Sequence, residues 1–250
     1  MVNTDISSFK ICNEISIIFP VKNDEKKIIN EFDSLYNFCK KSFNKFEFIF
    51  VSNGSNEENI KLLNEKIDNN NFVIHLNYKN SGKGFAIREG LKVSNYKLAL
   101  LIDSDFSVKI ENLYKFFSEY DKPYADFTIG SRKLKDSNVL NTPAIRILSG
   151  NIYTFLVKTL LNIKISDTQC GFKLINKEKF TNGVNFISNE FSYDVELFIL
   201  AKIQNITVYE IPVEYIHSEE SSVSLFKDSL LMFLKLIYFK FFYFIKKKQR

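Results

Sequence analysis

The chain has 250 residues, 45% of them hydrophobic and 25% charged, which fits a globular protein large enough to bury one sizeable core. Its net charge of +5 is mild, and no basic stripe with interleaved aromatics argues for a nucleic-acid partner. Cys12, Cys39 and Cys170 are scattered without a Cys-x-x-Cys spacing, which argues against a zinc site or a disulfide scaffold and fits a reducing compartment. The polar N-terminus (Asn3, Thr4, Asp5, Ser7, Ser8) does not read as a signal peptide. No stretch reaches the roughly 18 uncharged apolar residues of a membrane span, so the expectation is a cytoplasmic chain.

In chain order, an apolar strand is expected over 15–20, followed by a polar turn at Lys22, Asn23, Asp24 and Glu25. Ile28, Ile29, Phe32, Leu35, Tyr36 and Phe38 then recur at helical spacing to about residue 43. A second strand over 46–51 ends in Ser52-Asn53-Gly54-Ser55, a turn and helix-start signal. A helix through Leu62, Leu63 and Ile67 leads to a short strand over 72–76. Asn80-Ser81-Gly82-Lys83-Gly84 opens a helix through Leu91, and 96–102 is the next strand. This alternation implies parallel strands with right-handed crossovers. The second half is less regular. Expected there are a strand over 126–130, a helix over about 142–161, few periodic cues over 166–174, a helix over about 194–203 and a strand over 207–213. Residues 225–250 form a phenylalanine-rich tail with interspersed lysines, Lys227, Lys235 and Lys240 among them. It reads either as an amphipathic membrane-interfacial segment or as a helix packed on its own domain or a partner subunit. The remaining residues, 1–224, read as one domain.

The chemistry concentrates at the end of the fourth strand. Leu98 to Ile102 is apolar at every position, as in a fully buried parallel strand, and it delivers Asp103 and Asp105. Open α/β sheets place ligand crevices at such carboxyl ends. Two hard oxygen ligands there can hold Mg²⁺ or Mn²⁺ against a diphosphate. The plainer alternative is one helix cap and one solvated carboxylate.

Several motifs in order resemble the family 2 glycosyltransferases. The residues Phe19-Pro20-Val21-Lys22-Asn23-Asp24-Glu25 resemble the family's opening element, and Val51 to Ser55 its second turn. Asn80 to Gly84 with Arg88 and Gly90, and the Asp103-Ser104-Asp105 triplet, follow at the family's spacing. Gly130-Ser131-Arg132, then Arg146, Ser149 and Asn151, then Asp167 to Lys173 and Tyr193 to Glu196, resemble the polyprenyl-phosphate branch, most of all dolichyl-phosphate β-glucosyltransferases.

That resemblance implies a GT-A (Rossmann-like) α/β domain, with a mixed, mostly parallel sheet flanked by helices and an amphipathic helical tail. It implies a metal-dependent, inverting transfer of a hexose from a nucleotide-sugar, UDP- or GDP-linked, to polyprenyl phosphate, by a protein peripheral on the cytoplasmic membrane face. Asp103 and Asp105 would hold the Mg²⁺ or Mn²⁺. Pro20, Val21, Asn23, Asp24, Ser52, Asn53, Gly82, Lys83, Arg88 and Ser104, with Asp103, would bind the donor. Arg132 and Arg146 would act in catalysis and grip the acceptor, bordered by Ser149, Asp167 and Gln169. A salt bridge is the structural alternative for each Arg. If the acceptor were instead a saccharide hydroxyl, a general base would be needed, with Asp194, Glu196 and Asp167 the candidates. Ser52 stands where the family commonly has Asp, which leaves the donor base open, and Ser107 stands where some relatives have a third metal-side ligand.

Overall fold

The computed structural model describes residues 11–118, 126–181, 183–217 and 225–245. Its first half follows the sequence periodicity. Strand β1 (Cys12–Val21) is buried at every position from Ile15 onward apart from its ragged start. Helix α1 (Glu25–Ser42) turns Ile28, Phe32, Leu35, Phe38 and Cys39 inward, three to four residues apart. Strand β2 (Phe43–Asn53), helix α2 (Glu57–Ile67), strand β3 (Val73–Tyr78), helix α3 (Lys83–Val93) and strand β4 (Leu98–Leu101) complete the alternation. The α2 cap is Asn56, whose side chain accepts the Asn59 N–H.

A 3₁₀ turn (Ile110–Asn112) and the short helix α4 (Leu113–Ser118) follow, neither expected from the sequence. Next come β5 (Phe127–Ser131), β6 (Asn138–Leu140), α5 (Ala144–Leu161), β7 (Lys173–Asn176), α6 (Tyr193–Ile203), β8 (Val208–Pro212) and β9 (Glu214–Ile216). Helix α7 (Leu225–Phe239) ends in a π-helical turn (Lys240–Ile245). The last part of the tail, 246–250, lies outside the described residues.

The seven-stranded sheet has the order β3-β2-β1-β4-β7-β5-β8. All neighbours are parallel except β7, which runs antiparallel to both β4 and β5. Leu101 pairs with Lys173, as does Ile129. The start of β7 therefore lies beside the carboxyl end of β4, and residues 169–172 lie next to Asp103. The pair β6 and β9 forms a separate two-stranded ribbon.

Two apolar layers sandwich the sheet. One packs α1 and α2 over a phenylalanine cluster that includes Phe19, Phe32, Phe48 and Phe50. The other packs α3, α5, α6 and α7 on the opposite face. Burying each such side chain contributes about 1.5–3 kcal/mol. Leu236 and Phe239 of α7 share this second layer with Val157 and Leu161 of α5, so the tail packs on the domain.

Helix α5 is long and apolar enough, by length and composition, to cross a membrane, a feature the uncharged-run criterion passed over because Arg146 and Lys158 interrupt it. Tyr153, Val157 and Leu161 are buried, while Ile145, Leu148, Ile152 and Phe155 are exposed. On α7 and its terminal turn Leu231, Leu234, Ile237 and Phe241 are exposed as well. Each of the two packed helices thus leaves large apolar side chains uncovered by any described residue.

Candidate functional site

Beyond β4 the chain turns sharply through Asp103 to Phe106. Ser104 Oγ donates to Asp24 Oδ2 at 2.9 Å, tying the turn to the residue before α1. The Ser107 N–H donates to Asp105 Oδ1 at 2.9 Å. Phe106 sits in the left-handed region at φ 54°, a conformation costing an aromatic residue about 1–3 kcal/mol unless its surroundings hold it. Here the Phe106 N–H donates to the Asp103 carbonyl, and the ring packs on Phe19 at 5.9 Å. Across the turn, a Cβ at residue 171 would stand 2.2 Å from Asp103 Oδ2. Gly171 is therefore required for the carboxylate to lie against the start of β7.

Asp103, Asp105, Ser107, Arg132, Gln169 and Tyr215 help line a cavity of about 50 Å³. Lys83 Nζ reaches Asp103 Oδ1 at 2.6 Å. Burial works to raise the Asp103 pKa, but Lys83, helped by Lys173 and Arg132, leaves it below the ordinary value. Asp105 moves the other way, raised first by burial and then by the negative charge of Asp103. Two crowded carboxylates, one of them short of positive charge, form an all-oxygen donor set that fits a divalent cation such as Mg²⁺ or Mn²⁺.

Of the expected donor-binding residues, Lys83 contacts Asp103 directly and Asp24 holds the turn through Ser104. Pro20 and Val21 close β1 and are buried. Asn23, at φ 61°, donates its N–H to Ser55 Oγ and accepts from the Asn56 N–H. Asp24 pairs with Lys27 at 2.9 Å. Asn53 stitches the next loop in place: its Nδ2 donates to the Gly82 carbonyl at 2.7 Å and its Oδ1 accepts the Ser81 N–H at 2.9 Å. Gly82, at φ 93°, caps α3, and a Cβ there would meet the Asn189 carbonyl at 2.2 Å. Only glycine brings both backbones together. Arg88 is turned to that same 186–189 segment, donating to the Phe186 and Ser188 carbonyls and, at 2.7 Å, to Asn189 Oδ1. Arg88 thus holds the loop that packs on the start of α3.

Ser52 is fully buried, and its Oγ donates to Glu25 Oε1 at 2.9 Å and lies 2.9 Å from His75 Nε2. His75 Nδ1 is 2.6 Å from Asn64 Oδ1. Glu25 Oε2 is buried without a hydrogen-bond partner among the described residues. Burial lowers the His75 pKa from its ordinary 6.5, against a smaller opposing pull from Glu25. A depressed folded-state pKa means the unfolded chain takes up the proton first. The stabilisation is thus present above about pH 6.5 and lost as pH falls toward the folded-state value. The melting temperature should therefore fall between pH 7 and 5.5, and His75→Gln should flatten that slope, as thermal unfolding across pH would show.

On the other side of the cavity, Arg132 forms a bidentate pair with Asp167, Nε to Oδ2 at 2.7 Å and Nη2 to Oδ1 at 2.9 Å. The Arg132 and Gln169 backbone N–H groups also donate to this carboxylate. Burial alone would raise the Asp167 carboxyl, but the guanidinium holds it well below the usual carboxylate range. The Arg132 guanidinium also lies 5.1 Å from the Tyr215 ring centroid. Asp167 thus positions Arg132 and has its oxygens fully occupied, while Gln169 lines the cavity. Arg146 and Ser149 are not brought to it. Ser149 Oγ donates to the Arg146 carbonyl within the first turns of α5, and Arg146 is half-buried there. Asp194 pairs with the fully buried Lys173 at 2.7 Å. Glu196, also fully buried, accepts from the Ile187 and Ser188 N–H groups and from the Tyr243 hydroxyl.

Glu25, His75, Lys173 and Tyr215 were given no role by sequence reasoning. Glu25 had a motif signal. Lys173 ends the Asp167 to Lys173 motif, whereas His75 meets Ser52 through strand register and Tyr215 comes to the cavity on the β6–β9 ribbon, which a local pattern does not carry.

With this geometry in hand, comparison with known proteins gives three consistent findings. The model for glycosyl transferase family 2 matches residues 16–183. The dolichyl-phosphate beta-glucosyltransferase of Dictyostelium discoideum is 27% identical over 92% of this chain and 74% of its own length, and that of Homo sapiens is 28% identical over 92% and 76%. Among solved structures, glucosyl-3-phosphoglycerate synthase from Mycobacterium tuberculosis, in complex with Mn²⁺, UDP-glucose and glycerol 3-phosphate, superposes with a TM-score of 0.59. It is 14% identical over 90% of this chain and 78% of that one, a likeness of fold.

Proposed function

The chain belongs to glycosyl transferase family 2, and from that premise we propose that it transfers a hexose, with inversion, from a nucleotide-diphosphate sugar to polyprenyl phosphate at a membrane surface. The relatives named above act as dolichyl-phosphate glucosyltransferases, which supports the acceptor class. The observation that carries the reading is the state of the carboxylates. Asp167, Asp194 and Glu196, the bases a saccharide hydroxyl would need, are buried and committed to Arg132, to Lys173, and to Tyr243 with two backbone amides respectively. A lipid phosphate arrives already anionic and needs no strong base. Its requirement is a cation, and Arg132 at the cavity edge offers one in a fixed orientation.

In the reaction, an acceptor phosphate oxygen attacks the anomeric carbon, and the bond from that carbon to the diphosphate breaks on the opposite face. Asp103 and Asp105 would hold a divalent cation that, when bound, neutralises the departing nucleoside diphosphate. Lys83 holds Asp103 in place and adds positive charge on the donor side. Arg132, locked by Asp167, steadies the incoming phosphate. The exposed apolar face of α5 and α7 would rest in the acyl boundary, with Lys158, Lys235 and Lys240 near anionic headgroups.

The test is transfer of radiolabelled sugar from UDP- and GDP-sugars, with Mn²⁺, to a polyprenyl phosphate in vesicles. Label should enter an organic-extractable, mild-acid-labile lipid. No such lipid with any donor, alongside transfer to a saccharide, would reverse the acceptor assignment. Arg132→Lys keeps the charge but loses the planar fork. It should raise the acceptor KM about tenfold with donor affinity unchanged, as steady-state kinetics and calorimetry would show.

A further inference from the structure

We infer that Glu196 and Tyr243 are positioning residues for the donor, through which the C-terminal helix holds the nucleotide-side loop. The inference rests on the donor reading above. Glu196 is a carboxylate with no exposure and no cationic partner among the described residues. Its two oxygens instead accept three hydrogen bonds: Oε1 from the Ile187 N–H at 3.0 Å and the Tyr243 hydroxyl, and Oε2 from the Ser188 N–H at 2.9 Å. A buried carboxylate needs such donors to offset its desolvation, so the three contacts form one unit.

The segment it fixes lies against the start of α3. The Phe85 N–H donates to the Asn189 carbonyl at 3.1 Å, and Gly82 and Gly84 approach Asn189 and Ser188 too closely to admit a Cβ. Lys83, between those glycines, is the residue that meets Asp103. A continuous set of contacts therefore runs from the terminal turn after α7, through Glu196 and 187–189, to Lys83 and the aspartate pair. Tyr243 follows the helix whose exposed face is proposed to meet the membrane, so docking of that helix and donor grip share this connection.

The test uses the full chain and Tyr243→Phe. Binding of Mn²⁺ with UDP and, separately, with GDP is measured by calorimetry, with and without phosphatidylglycerol–phosphatidylcholine vesicles. Amide exchange at 187–188 is followed in parallel. The variant should bind nucleotide about fivefold more weakly, keep kcat at saturating donor within about twofold, and exchange 187–188 faster. Vesicles should tighten nucleotide binding by the wild type and leave the variant unchanged. Unaltered exchange at 187–188, or faster exchange with unaltered affinity, overturns the inference. A wild type that binds neither nucleotide removes the donor reading and the inference with it, a case told apart because exchange would still report the contact.

Discussion

Asp105→Asn should lower sugar transfer by on the order of 10³-fold, about 4 kcal/mol of transition-state stabilisation, as expected when a group that manages leaving-group charge is lost. The substitution keeps the shape of the side chain and the acceptor oxygen for the Ser107 N–H. It also removes a negative charge that burial and Asp103 make costly. Without metal, the variant should therefore melt at or above the wild-type temperature, while Mn²⁺ should stabilise it less than it stabilises the wild type. Loss of turnover together with retained or improved apo stability is the signature of a ligand; loss of both would mark Asp105 as structural. Full turnover by the variant would remove the aspartate pair from the chemistry.

The largest stability effect should come from Asp194→Ala, which leaves the Lys173 ammonium fully buried without its 2.7 Å partner. Breaking a buried ion pair from one side costs about 3–5 kcal/mol, whereas replacing both members by apolar residues of similar size is often neutral. Chemical denaturation should show that loss for Asp194→Ala and its recovery in Lys173→Met/Asp194→Leu. The recovered variant should still turn over poorly, because Lys173 contributes to the positive field that keeps Asp103 ionised. Recovery of stability and activity together would restrict Lys173 to a packing role.

The contrast between the two halves of the chain explains how much could be read in advance. In the first half, the largely apolar stretches 15–20 and 46–51 lie wholly within β1 and β2, and β4 takes 98–101 of the expected 96–102, each parallel to its β1 or β2 neighbour. Periodicity is a local signal, and those elements are locally defined. Strand β7 is four residues long and opens with a lysine, so it shows no apolar run. It is a strand because β4 and β5 supply ladder partners on both sides, a tertiary fact. The same limit applied to the site. Asp103, Asp105 and Lys83 were legible because they stand in ordered motifs. Asp167 was read as an acceptor neighbour, but its bidentate hold on Arg132 depends on the loop before β7 folding against the end of β5. His75 carried no signal because its partner Ser52 lies 23 residues away and on the adjacent strand.

The reversed β7 strand also separates the sheet into two blocks. On one side of it lie β1 to β4, carrying the aspartates, Lys83 and the Ser52 network; on the other lie β5 and β8, with Arg132 at the end of β5. Among the described residues of the seven-stranded sheet, the ladder joins the two blocks through β7, at Leu98–Leu101 and at Phe127–Ile129. On the roles proposed above, with Asp103, Asp105 and Lys83 on the donor side and Arg132 on the acceptor side, such a chain would change what it hands a sugar to through the end of β5 alone, and exchanging the residues around Arg132 for a relative's is the direct way to exploit it.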